Sequence, residues 1–388
     1  MWAASGASLL TDVSTEMVTN VLPLWMTGTL GLGPAIVGIV EGGADAVASL
    51  VRVGSGMLSD RLGARKPLAV AGYALSALAK ALLLVVTSAA ALTAVRWTER
   101  LGKGLRTAPR DALIADSVPE PSRGRAFGLH KAADTLGAAL GIGVALLVVG
   151  RMPPDAAGVD TPTFHALVAL SLVPAALAVG WLAWGAIEPP RRAAPAAVRP
   201  SVRALGRSVH GVLLACAFYQ LGAFAEAFLI LRAVDRGASP AQALGFVLLV
   251  NLVYAASSLP AGWLADRMGP RHVLVAGWLL HAGSCALLAV ASAPVLVVVG
   301  WLLFGFHQGL VGASQRALLA AVAPPALRAT AFGTHAALVG LTALPASLLL
   351  GWLWENHGPA FGFAVAGSCA ALGAVLLATD RSRTASRA

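Results

Sequence analysis

Gly56-Met-Leu-Ser-Asp60-Arg61-Leu-Gly63-Ala-Arg65-Lys66 returns as Gly262-Trp-Leu-Ala-Asp266-Arg267-Met-Gly269-Pro-Arg271-His272, 206 residues later. Arg123-Gly-Arg-Ala126-Phe127-Gly128-Leu-His130 returns as Arg328-Ala-Thr-Ala331-Phe332-Gly333-Thr-His335, 205 residues later. Two separate motifs with almost one spacing mean a duplicated chain, so the fold must consist of two homologous halves.

The sequence around these motifs is almost continuously apolar. Of 388 residues 57% are hydrophobic and 12% charged, against about 25% charged in a soluble domain, and the mean hydropathy is +0.77. Windows of about 20 apolar residues fall near 5–29, 35–58, 67–87, 90–113, 126–150, 164–187, 209–231, 240–264, 272–291, 294–318, 329–352 and 360–379. An all-α integral membrane protein follows, with twelve transmembrane helices in two six-helix halves. The expected halves are 1–187 and 209–388, joined by a linker over 188–208 that is rich in Pro, Ala and Arg. Parallel membrane repeats point to a transporter with its site between them.

In a soluble chain a net charge of +10 would suggest nucleic acid, but here its placement speaks for topology. Arg61, Arg65 and Lys66 follow span 2, Arg123 and Arg125 follow span 4, and Arg191, Arg192, Arg199, Arg203 and Arg207 fill the linker. Arg267 and Arg271 follow span 8, Arg328 precedes span 11, and Arg381, Arg383 and Arg387 close the chain, while residues 28–33 and 87–90 carry no charge. The positive-inside rule puts both termini and the linker in the cytoplasm. The first span lacks a basic lead-in and holds Asp12 and Glu16, so no cleaved signal peptide is expected. Cys216, Cys285 and Cys369 fall in different spans and form no disulfide framework.

On these motifs the chain resembles the major facilitator superfamily along nearly its whole length. Residues 56–66 match the family's loop motif between helices 2 and 3, and 262–272 its degenerate copy. Arg100-Leu-Gly-Lys103-Gly104 resembles the helix 4 motif R-x-x-Q-G with Lys for Gln, and Gly305-Phe-His307-Gln308-Gly309 is its mirror without the arginine. The resemblance implies that helices 1, 4, 7 and 10 line a central cavity, 2, 5, 8 and 11 flank it, and 3, 6, 9 and 12 face lipid. It also implies a cytoplasmic gate, in which Asp60 and Asp266 accept hydrogen bonds from the positive starts of helices 11 and 5. Gly56, Asp60, Arg61, Arg65, Gly262, Asp266 and Arg267 are the gate residues on this reading; plain topology determinants are the other. Exporters of the family carry G-P-x-x-G-G in helix 5, where this chain has Gly137-Ala-Ala-Leu-Gly141-Ile142-Gly143, with Ile142 at the proline's place.

Charges within a membrane mark function or pair with one another. Asp12, Glu16 and Asn20 lie on one stripe of helix 1, and Arg96, Arg100 and Lys103 on one stripe of helix 4. Matched depth predicts that Glu16 meets Arg100 and Asp12 meets Lys103, while Glu99 is spaced to pair with Lys103. Such pairs form either a static network or a proton-coupling site in which a carboxylate loses its partner in one conformation. Glu41 and Asp45 on helix 2 and Asp134, four residues after His130, complete this set. Asp45 mirrors Asn251 and Lys103 mirrors Gln308, which suggests coupling in the first half and substrate contacts in the second, through Gln220, Glu226, Asn251, His307 and Gln308, with Asn20 opposite. His281 and Cys285 are spaced like a metal pair, but on a helix expected to face lipid without further soft ligands, so no metal site is expected.

No GxSxG, HExxH or P-loop is present, so neither an enzyme nor an ATP-driven pump is expected. The expectation is a monomeric, multi-pass cell-membrane transporter without cofactor. Its partners are a small-molecule substrate, protons and the lipid bilayer, not nucleic acid. It would export a small organic molecule against protons, or import a metabolite, nutrient or metal chelate with them.

Overall fold

The computed structural model describes residues 1–62, 65–119, 123–153, 156, 158–188, 202–324 and 327–380. Every apolar span is helical, because only a helix or a closed barrel satisfies backbone polar groups in lipid. Span 1 comprises α1 (Trp2–Thr19) and α2 (Leu22–Gly28). Span 2 runs from α3 (Pro34–Val37) through a π-helical turn, Gly38–Gly42, into α4 (Gly43–Leu62). Spans 3 to 6 are α5 (Arg65–Leu82), α6 (Ala89–Asp116), α7 (Arg123–Val149) and α8 (Thr161–Gly185). Span 7 is broken into α9 (Gly206–Leu221) and α10 (Ala227–Asp235). Spans 8 to 12 are α11 (Pro240–Met268), α12 (Pro270–Val290), α13 (Pro294–Val322), α14 (Arg328–His357) and α15 (Pro359–Thr379).

Among the described residues nine helices are long and apolar enough to cross a membrane by length and composition; spans 1, 4 and 7 are the exceptions. Spans 1 and 7 are interrupted, and α6 carries Arg96, Glu99, Arg100, Lys103 and Arg106. Gly269 and Gly358 adopt φ of +87° and +86° directly before Pro270 and Pro359. Only glycine takes that conformation freely, and proline is suited to the first helical turn, so each pair makes a sharp helix-to-helix corner. Gly269 thus supplies the turn of the second loop motif.

The chain divides into two compact units, residues 1–195 with 238–248 and residues 196–237 with 249–388. In the first, α1 packs on α7 and α8, and α6 on α4 and α5. In the second, α12 packs on α13 and α15, and α9 on α15. Both interiors use small residues for close approach. A Cβ on Gly104 would meet Ala48 O at 2.7 Å, and one on Gly309 would meet Ser257 Oγ at 2.1 Å. These are the glycines of the helix 4 motif and its mirror, and each seats its helix on the one two spans earlier, α6 on α4 and α13 on α11. A Cβ on Gly137 or Gly141 would stand 2.4 Å from Leu9 O or Val13 O, whereas one on Gly143 would meet open space.

Candidate functional site

Both interrupted helices break at equivalent places, since Asn20 and Glu226 are 206 residues apart. In span 1, Pro23 lacks the N–H that would continue α1 into α2. The buried Asn20 amide covers the gap, donating to Glu16 O at 3.3 Å and Glu16 Oε2 at 2.7 Å. In span 7 the unwound stretch is Gly222–Glu226. A side chain at 222 is impossible, because a Cβ would stand 2.2 Å from Ala366 O. His281 Nε2 donates to the freed Gly222 carbonyl at 3.0 Å, and Ala225 N donates to Ser347 Oγ at 3.1 Å. Glu226 is exposed at the end of this stretch and accepts from Gln308 Nε2 at 2.6 Å.

The charges of the first unit pair differently from the expectation. Arg96 grips Glu41 with two bonds, Nε to Oε1 at 2.9 Å and Nη2 to Oε2 at 2.8 Å, and its Nη1 bonds Glu99 Oε2. Among the described residues Arg100 reaches only Glu99 Oε2, at 4.0 Å, so the predicted Glu16–Arg100 pair is not the one made. Glu99 turns to Arg96 rather than to Lys103. Among the described residues neither Asp12 nor Lys103 closes an ion pair, so the expected Asp12–Lys103 pair is not made. Asp134 lies 3.6 Å from His130 Nε2. The π turn separates Glu41 from Asp45: its wider winding moves the two off a common α-helical face, leaving Glu41 buried and Asp45 exposed. Arg52, one heptad beyond Asp45, pairs with Asp111 at 3.3 Å.

Two helices expected to face lipid turn polar side chains inward. Lys80 of α5 is buried, with Nζ 2.6 Å from Ser14 Oγ and 3.5 Å from Thr15 Oγ1. His281 and Cys285 of α12 are also buried, Sγ to Nε2 3.8 Å, and among the described residues no group of three His, Cys, Asp or Glu could hold a metal. A helix at a bundle's edge still has one face toward the bundle, and the polar residues take that face.

In the second unit His307 is buried and bonded to the Tyr219 hydroxyl at 2.5 Å. Its Nδ1 donates to Phe304 O at 3.2 Å, and its ring lies 4.5 Å from that of His281. Gln220 and Asn251 are half-buried on α9 and α11. His335 receives a hydrogen bond from the Gln315 amide at 2.7 Å.

Of the loop residues, Arg65 pairs with Asp116 at 2.8 Å, and the backbone N–H groups of Arg65 and Lys66 each donate to Glu188, at 2.7 Å. Arg271, the repeat of Arg65, bonds Asp380 beyond α15 in the second unit. Gly56 would place a Cβ 3.4 Å from Ala108, while Gly262 has open space. Asp266 is exposed and Arg267 lies over the Trp263 ring at 3.8 Å. The side chains of Asp60 and Arg61, and those of Arg123, Arg125 and Arg328, lie outside the described residues, as does 189–201 of the linker.

Sequence reasoning missed Trp97, Tyr219 and the partners of Lys80. Trp97 Nε1 donates to Ile39 O and Val40 O in the π turn, at 3.3 and 3.2 Å, over Gly43, where a Cβ would strike its ring at 2.3 Å. The signal available was Gly42-Gly43 in span 2, which leaves room for a large neighbour.

The sequence profile of the Major Facilitator Superfamily matches residues 4–247 and 206–388. The chain is 31% identical over 354 residues to an uncharacterized MFS-type transporter of Methanocaldococcus jannaschii, covering 90% of this chain and 86% of that one. It is 28% identical over 302 residues to the 3-(3-hydroxy-phenyl)propionate transporter of Escherichia coli, covering 76% and 72%. The crystal structure of a D-xylose-proton symporter superposes with a TM-score of 0.78 at 18% identity, covering 97% and 96%.

Proposed function

Because the chain belongs to the Major Facilitator Superfamily and is a secondary transporter of small solutes, we propose that it exports a small organic molecule across the cell membrane by proton-coupled alternating access. The observation that carries this reading is the pair of helix breaks at Asn20 and Gly222–Glu226. Interrupted membrane helices at corresponding places in two repeats expose backbone dipoles at mid-membrane, where a solute or ion is held. Around one break stand Asp12, Glu16 and Asn20; around the other, Glu226 and Gln308. Spans 1, 4 and 7, too polar or too broken to cross on composition alone, are three of the four that would line the path.

Proton coupling rests on Asp12 and Glu16, whose carboxylates are not consumed by the Glu41–Arg96–Glu99 network. Asp60 and Asp266 bias the gate at the cytoplasmic side, where the basic loops also place both termini. The protein acts as a monomer. A thermal-shift ligand screen followed by reconstitution into vesicles with an imposed pH gradient tests the reading. Solute and protons moving in opposite directions support export; movement in one direction means import. Asp12→Asn or Glu16→Gln should abolish gradient-driven transport and spare exchange, and full driven transport in both variants would refute the helix 1 assignment.

A further inference from the structure

The buried cations of the first unit are satisfied very unequally. Arg96 is occupied by Glu41 and Glu99. Arg106 donates to Ser76 Oγ at 2.7 Å and lies 4.6 Å over the Tyr73 ring. Lys80 has the Ser14 and Thr15 hydroxyls. Arg100 has nothing comparable. It is 7% exposed, its Nε is buried without a partner, and among the described residues its guanidinium donates no hydrogen bond. Among the described residues one carboxylate oxygen lies within ion-pair distance, Glu99 Oε2 at 4.0 Å, and it is already bonded to Arg96; Glu99 Oε1 is buried without a partner but lies beyond that distance from Arg100.

A guanidinium does not give up its charge, and it presents five N–H donors in a planar fork shaped for two oxygens of one group. Lys103, three residues on and half-buried, also lacks an ion pair among the described residues. The acids near this pair are otherwise placed. Glu16 is held by Asn20, and among the described residues Asp12 and Asp45 close no ion pair with Lys103. Two like charges one helical turn apart, with an unfilled fork between them, lack a shared oxyanion.

We propose that Arg100 and Lys103 receive a carboxylate or phosphate group of the solute this protein moves. The proposal rests on the transporter reading and names its substrate class. Arg100 lies near the middle of the 28-residue α6, about 17 Å along it at ~1.5 Å per residue. That depth suits a carried solute, whereas a lipid headgroup belongs at the bilayer surface.

The test is thermal unfolding of the full chain in phosphatidylcholine nanodiscs with millimolar phenylpropionate, succinate or glycerol phosphate, each beside its uncharged counterpart: phenylpropanamide, succinamide or glycerol. At least one anion should raise the midpoint and its neutral counterpart should not. Arg100→Gln should remove the shift, and Arg100→Lys, which keeps the charge without the fork, should weaken apparent affinity at least tenfold. Lys103→Gln serves as the second variant if Arg100→Gln does not fold. The proposal is overturned if no anion shifts the midpoint, if neutral counterparts act equally, or if the shift survives in Arg100→Gln. A shift reproduced by adding phosphatidylglycerol to the nanodisc assigns the oxyanion to lipid and also overturns it. Vesicles that move a neutral solute without any anion response leave the transporter reading standing and refute this one. An anion response in a protein that moves no solute does the reverse.

Discussion

The Arg96 guanidinium closes side-on over the Glu41 carboxylate, at 2.9 and 2.8 Å, and fastens the π turn of span 2 to the first third of α6. Removing one partner of a buried ion pair leaves an uncompensated charge and costs roughly 3–5 kcal/mol. Arg96→Ala strands two carboxylates, Glu41 and Glu99, and is expected to cause a large loss of stability in detergent. Glu41→Gln, which keeps an acceptor for Arg96, should cost less. Circular-dichroism melts give the order, and equal midpoints for Arg96→Ala and the natural protein would refute this anchoring.

Glycine contacts make a sharper comparison within one helix. Gly141→Ala drives a methyl to 2.4 Å from Val13 O, while Gly143→Ala meets nothing within 4 Å. Overpacking costs about 1–3 kcal/mol, and a change into open space stays within about 0.5 kcal/mol. The first substitution should lower the melting midpoint and the second leave it in place. The same loss is expected for Gly104→Val against Val51 and for Gly309→Val against Ser257.

The Tyr219–His307 bond supports the broken span 7 from within. A carbonyl oxygen only accepts, so Nδ1 of His307 carries the hydrogen given to Phe304 O, and Nε2 receives the Tyr219 hydroxyl hydrogen. Tyr219→Phe keeps the ring stacked on Trp278 and leaves a buried nitrogen unsatisfied, at about 1–3 kcal/mol. Hydrogen exchange measured by mass spectrometry should rise across residues 219–230; unchanged protection there would count against the tie.

Asp160 caps α8 outside the apolar span, accepting from Thr163 N at 2.9 Å. Its hydrogen bonds to Thr163 hold the carboxyl below its usual value. A depressed carboxyl contributes stability that is complete above the ordinary carboxylate range, near about 3.9, and is lost as pH falls through the lowered value. Asp160→Asn should retain the cap and lose that acid dependence, and Asp160→Ala should cost about 1 kcal/mol at neutral pH. Melts across the acid range separate the two, and identical profiles for all three proteins would dismiss the cap.

The sequence by itself determined the duplication, the helical class, the twelve spans and the family. Each follows from a local property: repeat spacing, apolar run length, and the need of every backbone group in lipid for an intrahelical partner. Height along a helix is a count of residues, so a matched depth for the polar residues of spans 1 and 4 is as far as the sequence reading goes, and it remains an expectation. The sequence did not determine azimuth. Rotation of α6 about its own axis sends Arg96 and Glu99 toward the interior of the unit and leaves Arg100 without a hydrogen-bonded acid, although Arg96 and Arg100 share a stripe. The π turn adds a shift that a uniform helical period does not contain, parting Glu41 from Asp45. Lys80 and His281 turn inward because burying a polar group beside a hydroxyl or a freed carbonyl is cheaper than exposing it to lipid. Those partners, Ser14 of α1 and Gly222 of the break in span 7, are distant in sequence, and only tertiary packing brings them within reach.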